Sequence, residues 1–358
     1  MFRINANFTS GGRAFMGFKN FKRLPGFYVL SVLFILMTAL MTAPFAFAAD
    51  VRDSAIERDA SSVEISVIYF MPVGSLSNPF TQMAEVGIHL SASLYPQIKA
   101  SRIYLYHDRH MDDYVKGILA AGDHAYIIGI GSNYAAIFDD LADIYTDRHF
   151  VVIDAKATNG KVKSIEFDNF EAGYMAGAAA ATVTKSRKTG FIGGTRNKVI
   201  LDFENGFKKA VLKNKVEVKE TDIMVEYIAG GVEGFSDLAA GEKIADKMYS
   251  AGCDIIFAAA GASGLGAIES AKKRGRYIIG VDSDQDSIAP GRVLTSVIKR
   301  IDSAIINLAK DIASNKYDDK PIIYSFNNAG LTFSAFRHTK NKIGAKKYNK
   351  IFNALFSK

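Results

Sequence analysis

From residue 63 onward, short apolar runs alternate with longer stretches whose apolar positions recur every three to four residues. Residues 63–70 (VEISVIYF) are apolar and β-branched and predict a buried strand. Residues 80–95 predict a helix, with Met83, Val86, Ile88 and Leu90 among its apolar positions. Strands are predicted again at 102–106, 126–130 and 150–154, with helices at 111–121 and 134–145 between them. A second series follows, with strands at 189–193, 223–227, 254–260, 276–281 and 293–297. Its helices are predicted at 202–212, at 239–251, through Lys273 and at 302–314. Near-continuous apolar strands between amphipathic helices predict parallel sheets covered on both faces. Two such series predict an α/β protein of two doubly wound domains. Ligands of such sheets sit beyond the carboxyl ends of the strands. Here those ends are the polar or glycine-rich loops at 71–78, 131–134, 154–158, 193–197, 229–235, 261–266 and 282–285.

The first 48 residues read as an address. Residues 26–49 form an uncharged run of 24 residues, preceded by Arg3, Arg13, Lys19, Lys22 and Arg23 and ending in Ala46-Phe47-Ala48. Basic start, apolar middle and small residues at the cleavage positions make a secretory signal at 1–48, with an uncleaved anchor as the alternative. Residues 49–62 read as a polar arm. No Cys follows the small residues, so the expected product is soluble and periplasmic, not a lipoprotein.

Charge and composition narrow the picture further. The net charge of +7 loses its basic excess once the termini are set aside. Without the five bases of 1–48 it is +2, and without the seven bases of the acid-free segment 337–358 it is about −5. A basic nucleic-acid-binding face on the fold itself is therefore not expected. A length of 358 residues with 49% hydrophobic positions suits two globular domains, and a single Cys excludes a disulfide scaffold or a thiolate metal site.

Among the loops, Gly261-Ala-Ser-Gly-Leu-Gly266 opens a helix, either as a phosphate cradle or as a turn that brings backbone close to a ligand. No phosphate-binding loop of the G-x-x-x-x-G-K-[ST] kind occurs. Asp282 directly follows the apolar strand YIIGV, where a carboxylate can accept hydrogen bonds from the vicinal hydroxyls of a sugar. Asp284 and Asp286 read as turn caps. Lys299, between apolar residues, can donate to a hydroxyl or to Asp282. His107, His110, Asp112 and Asp113 read as a surface loop, Cys253 as an inert packing residue, and the basic tail as a solvated helix. No G-x-S-x-G and no nucleophile–base pair is evident, so no enzyme is expected. No metal or cofactor is expected either.

The stretches FIGGTRNKVILDFENGFKKAV (191–211), AGGVEGFSDLAAGEKIADKMYSAGCDIIFAAAGASGLGAIESAKKRGRYIIGVDSDQ (229–285) and VLTSVIKRIDSAI (293–305) resemble the basic membrane protein family. These are substrate-binding proteins of ABC importers, typified by purine nucleoside receptors, and the likeness runs from about 63 to 314. The resemblance implies a type I periplasmic-binding-protein fold, two lobes joined by a three-strand hinge. It assigns 60–165 and 286–314 to the N-terminal lobe and 166–285 and 315–358 to the C-terminal lobe. It implies a base sandwiched by Phe80 and Phe235, ribose hydroxyls held by Asp282 and Lys299, backbone approach at Gly261, and Asp154 at the base edge. Three positions depart from the family pattern, with Met71 and Ser77 where acids are common and Thr81 where Asn is common. Asn78 and Asn133 are the candidate substitutes. The implied function is nucleoside capture for an inner-membrane ABC permease by a monomer, with no nucleic-acid partner. The alternatives are another flat heterocycle such as riboflavin, or a ligand-sensing subunit that docks on a membrane receptor.

Overall fold

The computed structural model describes residues 64–72, 78–105, 110–215 and 217–356. The leader and arm expected at 1–62, Ser77 and His107 lie outside them. Among the described residues, no helix is long and apolar enough to cross a membrane.

The first sheet is built from β1 (Ile65–Pro72), β2 (Ile98–Leu105), β3 (Tyr126–Ile130), β4 (His149–Ile153), β5 (Val162–Phe167) and β11 (Ile322–Tyr324). Its order is β11-β5-β4-β3-β1-β2, and every pairing is parallel. The second sheet holds β6 (Thr189–Gly193), β7 (Ile223–Tyr227), β8 (Ile255–Ala259), β9 (Tyr277–Asp282), β10 (Val293–Lys299) and β12 (Leu331–Phe333). It runs β12-β10-β9-β8-β6-β7, with only β12 antiparallel. Both sheets thus repeat one doubly wound order, as the two series of apolar runs predict.

Helices α1 (Pro79–Leu94), α2 (Met111–Ala121) and α3 (Ala135–Ile144) fall between strands of the first sheet. In the second half lie α4 (Asn169–Val183), α5 (Lys198–Asn214), α6 (Leu238–Ser250) and α7 (Ser263–Arg274), followed by α8 (Ile301–Ala313), α9 (Lys340–Ile343) and α10 (Ala345–Phe356). Helix α4 is buried along its whole length except at Phe170. Its Gly173 and Gly177 lie so close to the Phe203 and Phe207 carbonyls of α5 that a Cβ would fall 2.0 and 2.4 Å from them. Only glycine allows these two helices their separation.

The chain passes between the sheets three times: after β5, after β10, and between β11 and β12. The second passage falls at Lys299–Arg300 and not at residue 286, because β10 pairs with β9 and β12 while α8 packs on α1. Hydrogen bonds bind the crossings together. Asp168 N–H donates to the Tyr324 carbonyl (2.8 Å), Arg300 N–H to the Gly330 carbonyl (2.9 Å), and Phe326 N–H to Glu171 Oε2 (2.8 Å).

Candidate functional site

The carboxyl ends of both sheets face one cleft of about 820 Å³, open solvent at its mouth included. That is within the range of small-molecule sites. All eight residues singled out in the sequence line it: Asn78, Phe80, Asn133, Asp154, Phe235, Gly261, Asp282 and Lys299.

Phe80 and Phe235 come from opposite lobes. Asn78 caps α1, its Oδ1 accepting from Phe80 N–H at 3.0 Å, and Pro79 follows at the first helical position. This start fixes the Phe80 ring at the cleft wall. Phe235 ends a short 3-10 turn, Val232–Phe235. The buried Ser263 hydroxyl donates to the Gly234 carbonyl (3.0 Å) and accepts from Asp237 N–H (2.9 Å), clamping that turn from both sides. Among the described residues neither ring stacks on another aromatic. Gly261 lies between the lobes at φ +52°, and a Cβ there would be 3.2 Å from Asn78 Nδ2 and 3.3 Å from the Phe235 Cβ.

The floor of the cleft is charged. Lys299 Nζ, on β10, donates to Asp154 Oδ2, just past β4, at 2.6 Å. Both side chains are buried, and the ammonium also lies 5.3–5.7 Å from the ring centres of Phe80, Phe167 and Phe203. Asp154 Oδ1 is buried and has no hydrogen-bond partner among the described residues. An unfilled carboxylate acceptor at a cleft floor calls for a donor from outside the chain. Asp282 is buried beside this pair, and burial pushes its carboxyl up to about 6, against the opposing pull of Lys299. Asp154 and Asp282 both have left-handed backbones (φ +65° and +68°), and at Asp282 the turn is closed by Ser283 N–H to the Val281 carbonyl (2.8 Å). Backbone strain clusters at functional sites, and here it falls at two strand ends converging on one cleft, which makes that cleft the candidate site. The arrangement offers two aromatic side chains, two carboxylates and one ammonium in one cleft. It can hold a planar ring joined to a group rich in hydroxyl donors. It holds no nucleophile–base pair.

Several expectations change. Lys299 pairs with Asp154 and not with Asp282. Met71 is fully buried in the core, its carbonyl accepting from Tyr134 Oη (3.0 Å), and Thr81 is fully buried as well, so neither lines the cleft. The departures at 71 and 81 are therefore not gaps in the wall. Asp237 caps α6 through Ala240 N–H (2.9 Å), Asp284 caps its own turn through Asp286 N–H (2.9 Å), and Asp286 is buried against Ser334 Oγ (2.6 Å). His110 is a surface residue 3.8 Å from Asp113, and no group of metal ligands occurs among the described residues. Cys253 is buried and its thiol is pushed up to about 11 by that burial, as an inert residue should be. The tail is only half solvated, since Ile351, Ala354 and Leu355 of α10 are buried against the fold. Sequence reasoning missed the wall contributed by α5. Asn197, which caps α5 through Ile200 N–H (3.0 Å), lines the cleft together with Val199, Ile200 and Phe203. The signal was the Asn197 cap in a strand-end loop; Phe203 looked like ordinary core.

The family model of the Bmp proteins, described as ABC transporter substrate-binding proteins of the PnrA-like kind, matches residues 65–355. The chain belongs to this family. Basic membrane protein D of Borreliella burgdorferi (strain JD1) is 34% identical over 198 residues, 54% of this chain and 56% of that protein. The ABC transporter nucleoside-binding protein BmpA of Lactococcus lactis is 31% identical over 240 residues, 61% of this chain and 66% of that protein. The chain thus spans between half and two thirds of the length of these relatives. A solved ABC transporter solute-binding protein of Aeropyrum pernix K1 superposes with a TM-score of 0.69 at 20% identity, over 82% of this chain and 85% of that one, which speaks for the fold. The Bmp description is that of a binding protein, in line with a chain expected to be no enzyme.

Proposed function

We propose that the protein captures a nucleoside, most readily a purine nucleoside, in the cleft between its lobes and delivers it to an ABC permease. The observation that carries this reading is the pairing of aromatic and charged side chains in one cleft. Phe80 and Phe235, from opposite lobes, line it together with Asp282 and the Lys299–Asp154 pair, and among the described residues neither ring is stacked on another aromatic. Aromatic faces suit a heterocyclic base. A buried carboxylate that accepts from adjacent hydroxyls suits a ribose, and it rejects ligands lacking those donors because the acceptors are then left bare. The open Oδ1 of Asp154 is the candidate acceptor for a base N–H, with Asn78, Asn133 and Asn197 as further polar contacts. Gly261 lets the lobes approach closely enough to enclose the ligand.

In this reading the open form takes up ligand, closure about the three crossings buries it, and the closed form docks on the permease as a monomer. No bond is made or broken. Residues 1–48 export the chain, and it works in the periplasm. Native mass spectrometry of the purified protein, followed by denaturation and identification of what is released, tests the proposal. A released nucleoside supports it. A released flavin or other heterocycle would keep the importer role and change the ligand class. Absence of any small molecule, together with no thermal shift across a nucleoside panel, would remove the nucleoside reading.

A further inference from the structure

The C-terminal segment carries charge that the cleft does not use. Of its seven bases, Arg337, Lys340, Lys342, Lys346, Lys347 and Lys350 are described. Among the described residues only Arg337 meets a carboxylate, Asp284 at 3.4 Å. The inner face of α10 is taken up by the core through Ile351, Ala354 and Leu355 and packs on α4. Its outer face runs Lys346, Asn349, Lys350, Asn353, Phe356, all exposed, with Phe356 at 75%.

These lysines oppose the field of their own helix. The first turn of α10 has Lys346 and Lys347 and no acid, and the last turn has no base. The amino end of a helix is its positive end, so cations there are disfavoured and acids preferred. A surface helix selected for stability alone would carry the reverse arrangement. Lys346 and Lys347, held against the helix field and with no carboxylate partner among the described residues, are available to an anion outside the chain.

We infer that this face docks on an anionic lipid surface. Both cations of this face, Lys346 and Lys350, are lysines. Lysine is a flexible point charge suited to a diffuse sheet of headgroups, whereas recognition of individual carboxylates favours the planar fork of arginine. The apolar side of α10 is already buried, so the helix does not insert. Contact runs through headgroups, is screened by salt, and sets the Phe356 ring at the interface. The rest of the molecule, negative once both basic termini are set aside, is turned away from such a surface by its charge.

The chain has no Trp, so Phe356→Trp in the full-length protein makes a single reporter, whether or not residues 26–49 enter a bilayer. The expected result is a blue shift of its emission on vesicles of equal parts phosphatidylglycerol and phosphatidylcholine, and none on phosphatidylcholine alone. High salt should abolish it, since at about 1 M the screening length falls to about 3 Å. Each lysine near an anionic surface is worth about fivefold in partitioning, so adding Lys346→Glu and Lys350→Glu should weaken it at least about 25-fold from the lost attraction alone, and more through the repulsion of the two new carboxylates. The Lys346 reversal favours the helix field and Lys350 is an exposed mid-helix residue, so the melting temperature should hold, which separates lost docking from lost folding. No shift on the mixed vesicles, an equal shift on phosphatidylcholine, or an undiminished shift in the reversed variant would overturn the inference. So would a shift caused by soluble polyglutamate and not by vesicles, which would assign the face to an acidic protein.

Discussion

Lys299 and Asp154 join the two sheets through a buried ion pair, Nζ to Oδ2 at 2.6 Å, at the floor of the cleft. Lys299 ends β10 of the second sheet, and Asp154 follows β4 of the first. The pair therefore spans the lobes at the second crossing. One oxygen of Asp154 is held by the lysine and the other is left open.

Removing the lysine should be costly. Lys299→Met leaves a buried carboxylate without its cation, and losing one partner of a buried pair destabilises by about 3–5 kcal/mol. Lys299→Met combined with Asp154→Leu should recover most of that stability in urea unfolding and should not recover ligand binding. A single variant as stable as the wild type would show that the pair is not buried in solution.

Asp282 predicts a pH dependence. Burial raises its carboxyl to about 6, above the ordinary value near 3.8, so the folded protein holds this proton more tightly than the unfolded chain. The stability contributed by the protonated group is fully present below about pH 4 and is lost as pH rises through about 6. At neutral pH the ionised group is a liability, and Asp282→Asn should stabilise the free protein there by something on the order of 2–3 kcal/mol. The advantage should vanish near pH 4. Ligand hydroxyls donate to the ionised form, so affinity should fall as pH drops through about 6. Matching melting curves for the two proteins at both pH values would contradict this.

Gly261→Ala tests closure. Its φ of +52° and the two neighbours at 3.2–3.3 Å leave a methyl group little room between Asn78 and Phe235. The backbone penalty is about 1–2 kcal/mol, and the larger effect should fall on binding, weakened at least about tenfold by a lobe held back from full closure. Gly230→Ala, with open space around its Cβ, is the control and should bind as the wild type does. Equal affinities for the two variants would dissociate this contact from closure.

The doubly wound pattern was legible because each strand of a parallel sheet is an unbroken apolar run. Helix α4 was not, and the reason is its burial. NFEAGYMAGAAAATV has no polar face and hence no helical period to read. Strand β5 was hidden by Lys163, a buried residue whose ammonium is satisfied by the Asp318 and Lys320 carbonyls (2.8 Å each) and by the Asp318 carboxylate (3.0 Å). Strands β11 and β12 have three residues each, too few for a pattern. The cleft residues Asp154 and Asp282 could be found because polar groups stand directly after apolar strands. The assignment of 293–299 to the first lobe failed because a crossing leaves no local mark: Lys299 ends its strand in one sheet and is used against the other.

The most direct test is a calorimetric titration of unfolded and refolded, hence emptied, protein with purine and pyrimidine nucleosides and riboflavin, beside Phe235→Ala and Asp282→Ala. The account predicts one-to-one binding of a nucleoside with a dissociation constant of about 1 μM or tighter, weakened at least about 100-fold in both variants. Wild-type protein that is silent toward every nucleoside, or binding that neither substitution weakens, would contradict it.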